Sequence, residues 1–438
     1  MKLVLAARNA AEGVPYRTPD AQLEPPMTPA KTTSPRTKKS PAKKTSSRGG
    51  DDANLELVMR LMAVPGRSGE ETAVAAMIQD ELRQAGADMS LVRTDDTPER
   101  SPLGGQIGNL TFQLPGTVKG PRRLLVAHMD AVPLCVGSKP VRDGKTVRSA
   151  DKSTGLAADN RAGCATILSA ARDILTKRLP HPPLTFLWCV QEEVGLFGAR
   201  HGDLSLLGKP KLAFNWDGGP AEKLTIGATG AFRMKIAIQG LASHAGGAPE
   251  KGISAVTIAA LAIADLQQAG WLGLIEKDGI RGTSNVGVVS GGAATNVVTD
   301  LVELRAECRA HDAKFRKRIL KTFEEAFEKA AASVTNHEGR AGKVKFESRQ
   351  DYESFLLRNE EPCVVEAERA VRMVGLNPIR AISNGGLDAN WLSARGIPTV
   401  TLGCGQQNVH TTSERLDIAA FEHACRIALQ LAAPDATA

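Results

Sequence analysis

Three things are missing from this chain of 438 residues. No apolar run approaches the roughly 20 residues needed to span a bilayer as a helix, which excludes a membrane-spanning helix. The seven cysteines, at positions 135, 164, 189, 308, 363, 404 and 425, show no paired spacing. An odd, dispersed set excludes a disulfide framework and reads as reduced thiols in a cytoplasmic protein. Most sit in apolar runs, where cysteine behaves as a small hydrophobe. The third absence is an excess of charge in the body. The net charge of +7 is local: residues 1–50 hold ten Lys/Arg against three Asp/Glu, so the other 388 residues carry 45 of each sign. A neutral body argues against a nucleic-acid groove as the main function, since affinity for phosphate backbones comes from clustered cations.

What is present is ordinary for a soluble globular protein, 42% hydrophobic and 24% charged. Residues 1–50, with seven prolines and one aromatic, cannot bury enough apolar surface to offset ordering entropy. They read as a disordered basic tail, or as sequence upstream of a start at Met59. The first residues, 1–7, carry one Lys and a stretch too short for a secretory signal. Helices are expected at 54–62 and 72–85, the second opened by a capping box of Ser68 and Glu71. Strands at 123–127, 184–190 and 211–216 alternate with a helix at 161–177, which implies a mostly parallel sheet between helices.

The texture changes near Gly227. Residues 232–239 alternate apolar and polar, the mark of a strand with one wet face. A helix (252–269), strands (284–289 and 297–309), a helix (314–333) and a strand (343–348) follow. This is a β-α-β-β-α-β, ferredoxin-like order. The first texture then returns: helix 362–374, strand 379–382, helix 387–395, strand 398–402 and helix 418–431. The expected architecture is an α/β catalytic domain in two pieces, 51–227 and 351–438, around an inserted lid or dimerisation domain at 228–350. No internal repeats are seen.

Acids and histidines fall just beyond the strands. His128 and Asp130 follow 123–127, Glu192 and Glu193 follow 184–190, Asp217 follows 211–216, and His410 follows 398–402 after a Gly-rich loop. Asp159 stands just before a helix. In open α/β sheets, sites lie beyond the carboxyl ends of the strands. Each residue alone has an ordinary reading: a surface His, a solvated Glu pair, an N-cap Asp. Together they form a mixed nitrogen and oxygen ligand set suited to zinc.

The spacing resembles a known family. His-x-Asp at 128–130, Ala-Asp-Asn-Arg-Ala-Gly at 158–163, Glu-Glu-Val-Gly at 192–195, Asp217 and a late His410 are similar to the dinuclear-zinc exopeptidases. The stretches Phe-Asn-Trp-Asp-Gly-Gly at 214–219 and Ser-Asn-Gly-Gly-Leu-Asp at 383–388 look most like its peptidase T branch. The resemblance runs from about Asn54 to the C-terminus. It implies two Zn²⁺, or Co²⁺ or Mn²⁺, with His128 and Asp217 on one, Glu193 and His410 on the other, and Asp159 bridging. Metals roughly 3.5–4 Å apart share a water and lower its pKa. Glu192 would be the general base. Asp130 would orient the His128 ring. A cis peptide is implied at Asp159–Asn160.

Within the insertion, the resemblance implies that His244 reaches across a homodimer to stabilise the oxyanion. Asn296 and Arg309 would bind substrate, Arg309 through a carboxylate. Gly385 and Gly386 would let backbone approach the substrate. The implied activity is hydrolysis of short peptides, as a tripeptidase or aminopeptidase, with no need of nucleic acid or membrane. The alternative is an amidohydrolase of N-acyl amino acids using the same site. A catalytically silent binding module is disfavoured by the intact ligand set and Glu192. The 130–159 interval is shorter than in peptidase T itself, and the 403–410 loop differs from it.

Overall fold

The strand Leu184–Cys189 shows how the main sheet is built. Leu184, Phe186 and Trp188 face one hydrophobic core, while Leu187 and Cys189 face another. The neighbouring strand Arg123–His128 does the same, with Leu125 and Ala127 on one side and Leu124 and Val126 on the other. Successive side chains of a strand point to opposite faces, so a continuous apolar run is buried only if both faces are covered. This computed structural model, which describes residues 48–434, covers both. Helices Arg48–Ala63, Thr72–Gln84, Ala158–Lys177, Pro362–Met373 and Ile418–Ala432 lie on one face; Phe197–His201 and Asp388–Ala394 lie on the other.

The sheet has nine strands. Its four central strands, Leu184–Cys189, Arg123–His128, Leu212–Trp216 and Thr399–Leu402, run parallel in that order. Their carboxyl ends therefore share one edge of the sheet. Antiparallel strands flank them: Leu110–Leu114 and Val92–Thr94 on one side, Lys223–Ala228 on the other. Ile379–Ser383 and Phe355–Leu356 both pair with Lys223–Ala228.

A second, five-stranded antiparallel sheet runs from Gly230 to Tyr352. Its order is Gly273–Lys277, Ile280–Gly291, Leu301–Ala310, Gly230–Gln239 and Lys343–Tyr352. Helices Ala255–Gln268 and Ala313–Ser333 pack on it around a separate core. Phe315, Ile319, Phe323 and Phe327, four residues apart, form the buried stripe of the second helix. Each such ring or aliphatic chain contributes about 1.5–3 kcal/mol on burial. The ferredoxin-like order gains one edge strand, Gly273–Lys277. It is turned by Asp278 and Gly279, both at positive φ, a pair whose backbone twist matches a two-residue hairpin.

A third, four-stranded antiparallel sheet joins Pro140–Asp143 and Thr146–Ser149 to Arg415–Asp417 and Gln406–Gln407. The two segments expected to depart from peptidase T, 130–159 and 403–410, both contribute strands to this sheet.

Three local expectations are corrected. Residues 1–47 of the expected tail lie outside the described residues, but residues 48–50 belong to helix Arg48–Ala63. Leu55, Leu57 and Val58, upstream of Met59, are buried in the core. That places packed structure before Met59, because an amphipathic helix must keep its apolar face covered. Ser68 and Glu71 do not form a capping box. Glu71 is the N-cap residue of Thr72–Gln84 without a side-chain cap, and both side chains are drawn to the site below.

Candidate metal centre

His128 ends its buried strand at the carboxyl edge of the sheet. Its Nδ1 lies 3.3 Å from Asp130 Oδ1 and 3.2 Å from the Asp130 carbonyl oxygen. Both are acceptors, so the ring proton sits on Nδ1 and the Nε2 lone pair faces inward. There it meets Asp159 Oδ1 at 3.3 Å, Glu192 Oε2 at 3.8 Å and Asp217 Oδ2 at 3.9 Å. The Asp130 carboxylate, fully buried, also accepts the amide N–H of Glu192 (3.0 Å) and of Glu193 (3.1 Å). One side chain thereby holds both the ring and the Glu pair.

Asp159 faces two ways. Its Oδ1 turns to His128, and its Oδ2 lies 3.3 Å from His410 Nε2. His410 Nε2 is also 3.0 Å from Glu193. The peptide Asp159–Asn160 is cis. Asn160 ties this turn to the neighbouring strand end: its Nδ2 donates to the Trp216 carbonyl at 2.7 Å, just before Asp217. His410 itself is at φ 62, a left-handed conformation that non-glycine residues adopt at some cost and mostly at functional sites.

The donors gather into three overlapping groups whose ligand atoms lie within 4.8 Å of one another: His128–Asp159–Asp217, His128–Glu192–Glu193 and Asp159–Glu193–His410. Four carboxylates in this space repel one another. Burial, reinforced by Asp159, pushes Glu193 and Asp217 each up to about 7. Burial, reinforced by Glu193 and Asp217, holds Glu192 well above the carboxylate range. Hydrogen bonds to Asp159 and Glu193 raise His410 to about 11. Burial works against a charged His128, but Glu192, Asp130 and Asp159 outweigh it and hold the ring well above its ordinary value.

This is the electrostatic signature of a site built for added positive charge. Asp159 Oδ1 is buried without a hydrogen-bond partner. Two donors each about 2 Å from one tetrahedral zinc stand roughly 3.3 Å apart, the separation seen between His128 and Asp159 and between His410 and Asp159. The residues present fit a pair of divalent cations.

The insertion's candidates are placed differently. His244 is exposed, and its Nδ1 accepts the N–H of Gly246 (3.1 Å) and of Gly247 (2.9 Å). That leaves the proton on Nε2, a donor directed away from its own loop. Asn296 adjoins it: its carbonyl accepts the Ala245 N–H at 2.9 Å, and His244 bridges to Val297. Among the described residues, no hydrogen bond or ion pair joins His244 or Asn296 to the strand-end cluster. Arg309 does cross between the two sheets. Its Nε and Nη2 grip Glu307, each at 3.0 Å, and Nη1 reaches the Asn384 carbonyl at 3.4 Å. Gly386 follows, and its lack of a side chain has a local cause: a Cβ there would stand 2.6 Å from the Tyr352 ring. This packing stands beside the expected approach of the Gly386 backbone to the substrate as a reason for glycine there. Gly385 meets only Ser383 Oγ, at 3.7 Å.

Several buried or half-buried polar residues around the centre were not expected. Ser68 Oγ donates to Asp130 Oδ2 at 2.6 Å. Glu71 Oε1 accepts the N–H of Gly69 (2.9 Å) and of Gln191 (3.0 Å), and burial followed by Asp130 raises its carboxyl to about 7. Arg161, buried below the turn, donates to the Gly66 carbonyl at 3.0 Å. Glu414 accepts three backbone amides around Asp159. Asp388 is buried with both oxygens unpartnered. Sequence signals for Ser68 and Glu71 existed but pointed to a cap. Glu414 sits in a polar stretch that reads as surface.

Residues 226–335 match the model of a peptidase dimerisation domain, and residues 134–227 match that of the M42 glutamyl aminopeptidases. An uncharacterised protein of Bacillus subtilis, YqjE, is 32% identical over 83% of this chain and 93% of its own length. A tripeptidase from Staphylococcus aureus superposes with a TM-score of 0.79 at 30% identity, covering 88% of this chain and 98% of that one. The aminopeptidase PepT of Bacillus cereus gives 0.74 at 31%, covering 87% and 98%. With a cluster of His, Asp and Glu at the strand ends of one domain and a match to a peptidase dimerisation domain inserted beside it, the chain belongs to the peptidase T-like branch of the M20 exopeptidases.

Proposed function

We propose that this peptidase hydrolyses short peptides as a dinuclear metalloenzyme, acting as a tripeptidase or aminopeptidase. The observation that carries the reading is Asp159, with one oxygen turned to His128 and the other to His410. That is the disposition of a carboxylate shared by two cations. His128 and Asp217 would hold one, and Glu193 and His410 the other, with Asp159 between them. Zinc suits the mixed nitrogen and oxygen donors; Co²⁺ and Mn²⁺ suit them as well. When bound, such a pair lowers the pKa of a shared water and polarises the scissile carbonyl.

The chain's own residues supply the rest. Glu192, buried beside the donors, takes the proton of the attacking water and returns it to the leaving amine. Asp130 keeps the His128 tautomer fixed and holds the Glu192 and Glu193 backbone in register. His244 offers Nε2–H to the developing oxyanion in the active site of a second subunit. Arg309 and Asn296 position the substrate, Arg309 at a carboxylate, with Gly385 leaving room beside them. The homodimer is supported by the matched dimerisation module and by exposed Val288, Val289 and Leu301 on the inserted sheet. Seven free, buried cysteines support a reducing, cytoplasmic location. Among the described residues no helix is long and apolar enough to cross a membrane.

The peptide reading is preferred to N-acyl amino acid hydrolysis because two solved structures at about 30% identity are a tripeptidase and an aminopeptidase. Metal content and cleavage of a peptide library, measured on one purified sample, test it. Two metals per chain and release of residues from tripeptides are expected. Cleavage of N-acetyl or N-succinyl amino acids with tripeptides left intact would overturn the substrate class.

A further inference from the structure

We propose that Glu414 is a positioning residue that locks the Asp159 turn to the His410 loop, and so sets how tightly the centre holds its cations. The inference rests on the reading of Asp159 and His410 as ligands. Glu414 is buried, with 2% of its surface exposed. Its Oε2 accepts the N–H of Leu156 at 2.7 Å and of Ala157 at 2.9 Å, and its Oε1 accepts that of Asp159 at 3.0 Å. Cys135 Sγ adds a contact to Oε2 at 3.4 Å. Among the described residues no Lys, Arg or His forms an ion pair with it. A buried carboxylate without a cation is costly unless its oxygens are filled by donors, and here those donors are the amides that aim Asp159.

The turn needs such a clamp. Ala157 is at φ 64, a left-handed conformation that brings an alanine Cβ too close to the following carbonyl oxygen. The clamp is also local to the second histidine. Glu414 lies four residues beyond His410, immediately before strand Arg415–Asp417 of the small antiparallel sheet that this strand forms with Gln406–Gln407 and the hairpin at 140–149. One side chain therefore fixes the distance between two loops that each contribute a ligand. Gln406, donating to Asn160 Oδ1 at 2.8 Å, makes a second tie between them. Asp159 faces both histidines, so loosening this turn disturbs both halves of the centre together.

The test is titration of apo protein with Zn²⁺ against a chromophoric chelator, for the parent, for Glu414→Gln and for Glu81→Gln. Gln keeps the shape of Glu414 but turns an NH₂ toward amides that are themselves donors. Glu81 is equally buried, but it pairs with Arg60 and Arg172 in the helix layer, so its variant reports the general cost of losing a buried carboxylate. Expected is a weakening of both zinc equivalents by about 10- to 100-fold in Glu414→Gln, the range for residues that orient metal ligands. Its kcat should recover at saturating zinc, and Glu81→Gln should lose thermal stability with parental zinc affinity. Zinc affinity in Glu414→Gln within roughly twofold of the parent, outside that range, overturns the inference alone. A parent that binds no zinc overturns the dinuclear reading, and this inference with it. If Glu414→Gln does not accumulate folded, Glu414→Asp carries the same test, because it keeps the acceptors but withdraws them by one methylene.

Discussion

The strand-end cluster and the inserted domain solve positioning in opposite ways. His128, Asp130, Glu192 and Asp217 stand at the ends of buried parallel strands or immediately beyond them, where backbone pairing fixes their spacing and burial fixes their rotamers. His244 and Asn296 sit on exposed loops, oriented by amides of their own segment. The first arrangement is complete within one chain. The second presents a donor for which the described residues show no acceptor. The difference teaches that the candidate ligands are preorganised by the fold of the subunit, whereas the insertion's proposed contribution depends on what is brought to it.

That comparison can be broken at either end. The largest effect should come from the cluster: dialysis against a chelator should abolish peptide hydrolysis, and added Zn²⁺ should restore it. Full activity in protein shown to be metal-free would remove the central claim. Next, Glu192→Gln should lower kcat by about 10²–10⁴-fold while metal content stays parental; unchanged turnover would dismiss it as the base.

On the insertion side, His244→Ala should lower kcat by about 10²–10³-fold without changing zinc affinity. Mixing it with inactive Glu192→Gln protein sharpens the contrast. If His244 serves the partner's site, exchanged dimers contain one intact site, and random pairing restores about a quarter of the parental sites. A mixture as inactive as its components would show that His244 acts within its own chain, or not at all. Arg309→Ala should raise KM about 10- to 100-fold for peptides with a free carboxylate, the scale of a lost charge-assisted grip, and little for the matching amides. An equal rise for both would show that its bonds to Glu307 and Asn384 matter only for joining the two sheets. The smallest effect is expected from removing residues 1–47, which should leave hydrolysis unchanged; a large loss would give that segment a role in the reaction.

Much of the frame was legible. Runs such as 184–190 are so uniformly apolar that only a doubly covered strand accommodates them, and their ends mark the positions of the clustered His, Asp and Glu. Short, half-exposed strands were not: Val92–Thr94 and the Pro140–Asp143 hairpin bury too little to leave an apolar pattern. Strand Lys223–Ala228 fell on the very change of texture taken as a boundary. Gly273–Lys277 was missed although Asp278-Gly279 signalled its turn. Ser68, Glu71 and Glu414 were misread or passed over because polar residues in polar stretches look solvated until another segment covers them.

The sequence by itself determined the two domains, the places where strands end and the kinds of donor found there, because side-chain periodicity and residue chemistry are local properties. Only the tertiary structure decided that Asp159 faces both histidines, that Asp130 serves a ring and two amides at once, and that Glu414 joins loops separated by some 250 residues of chain. These are relations of distance and direction between segments, and they come into being when the sheet brings its strand ends to one edge.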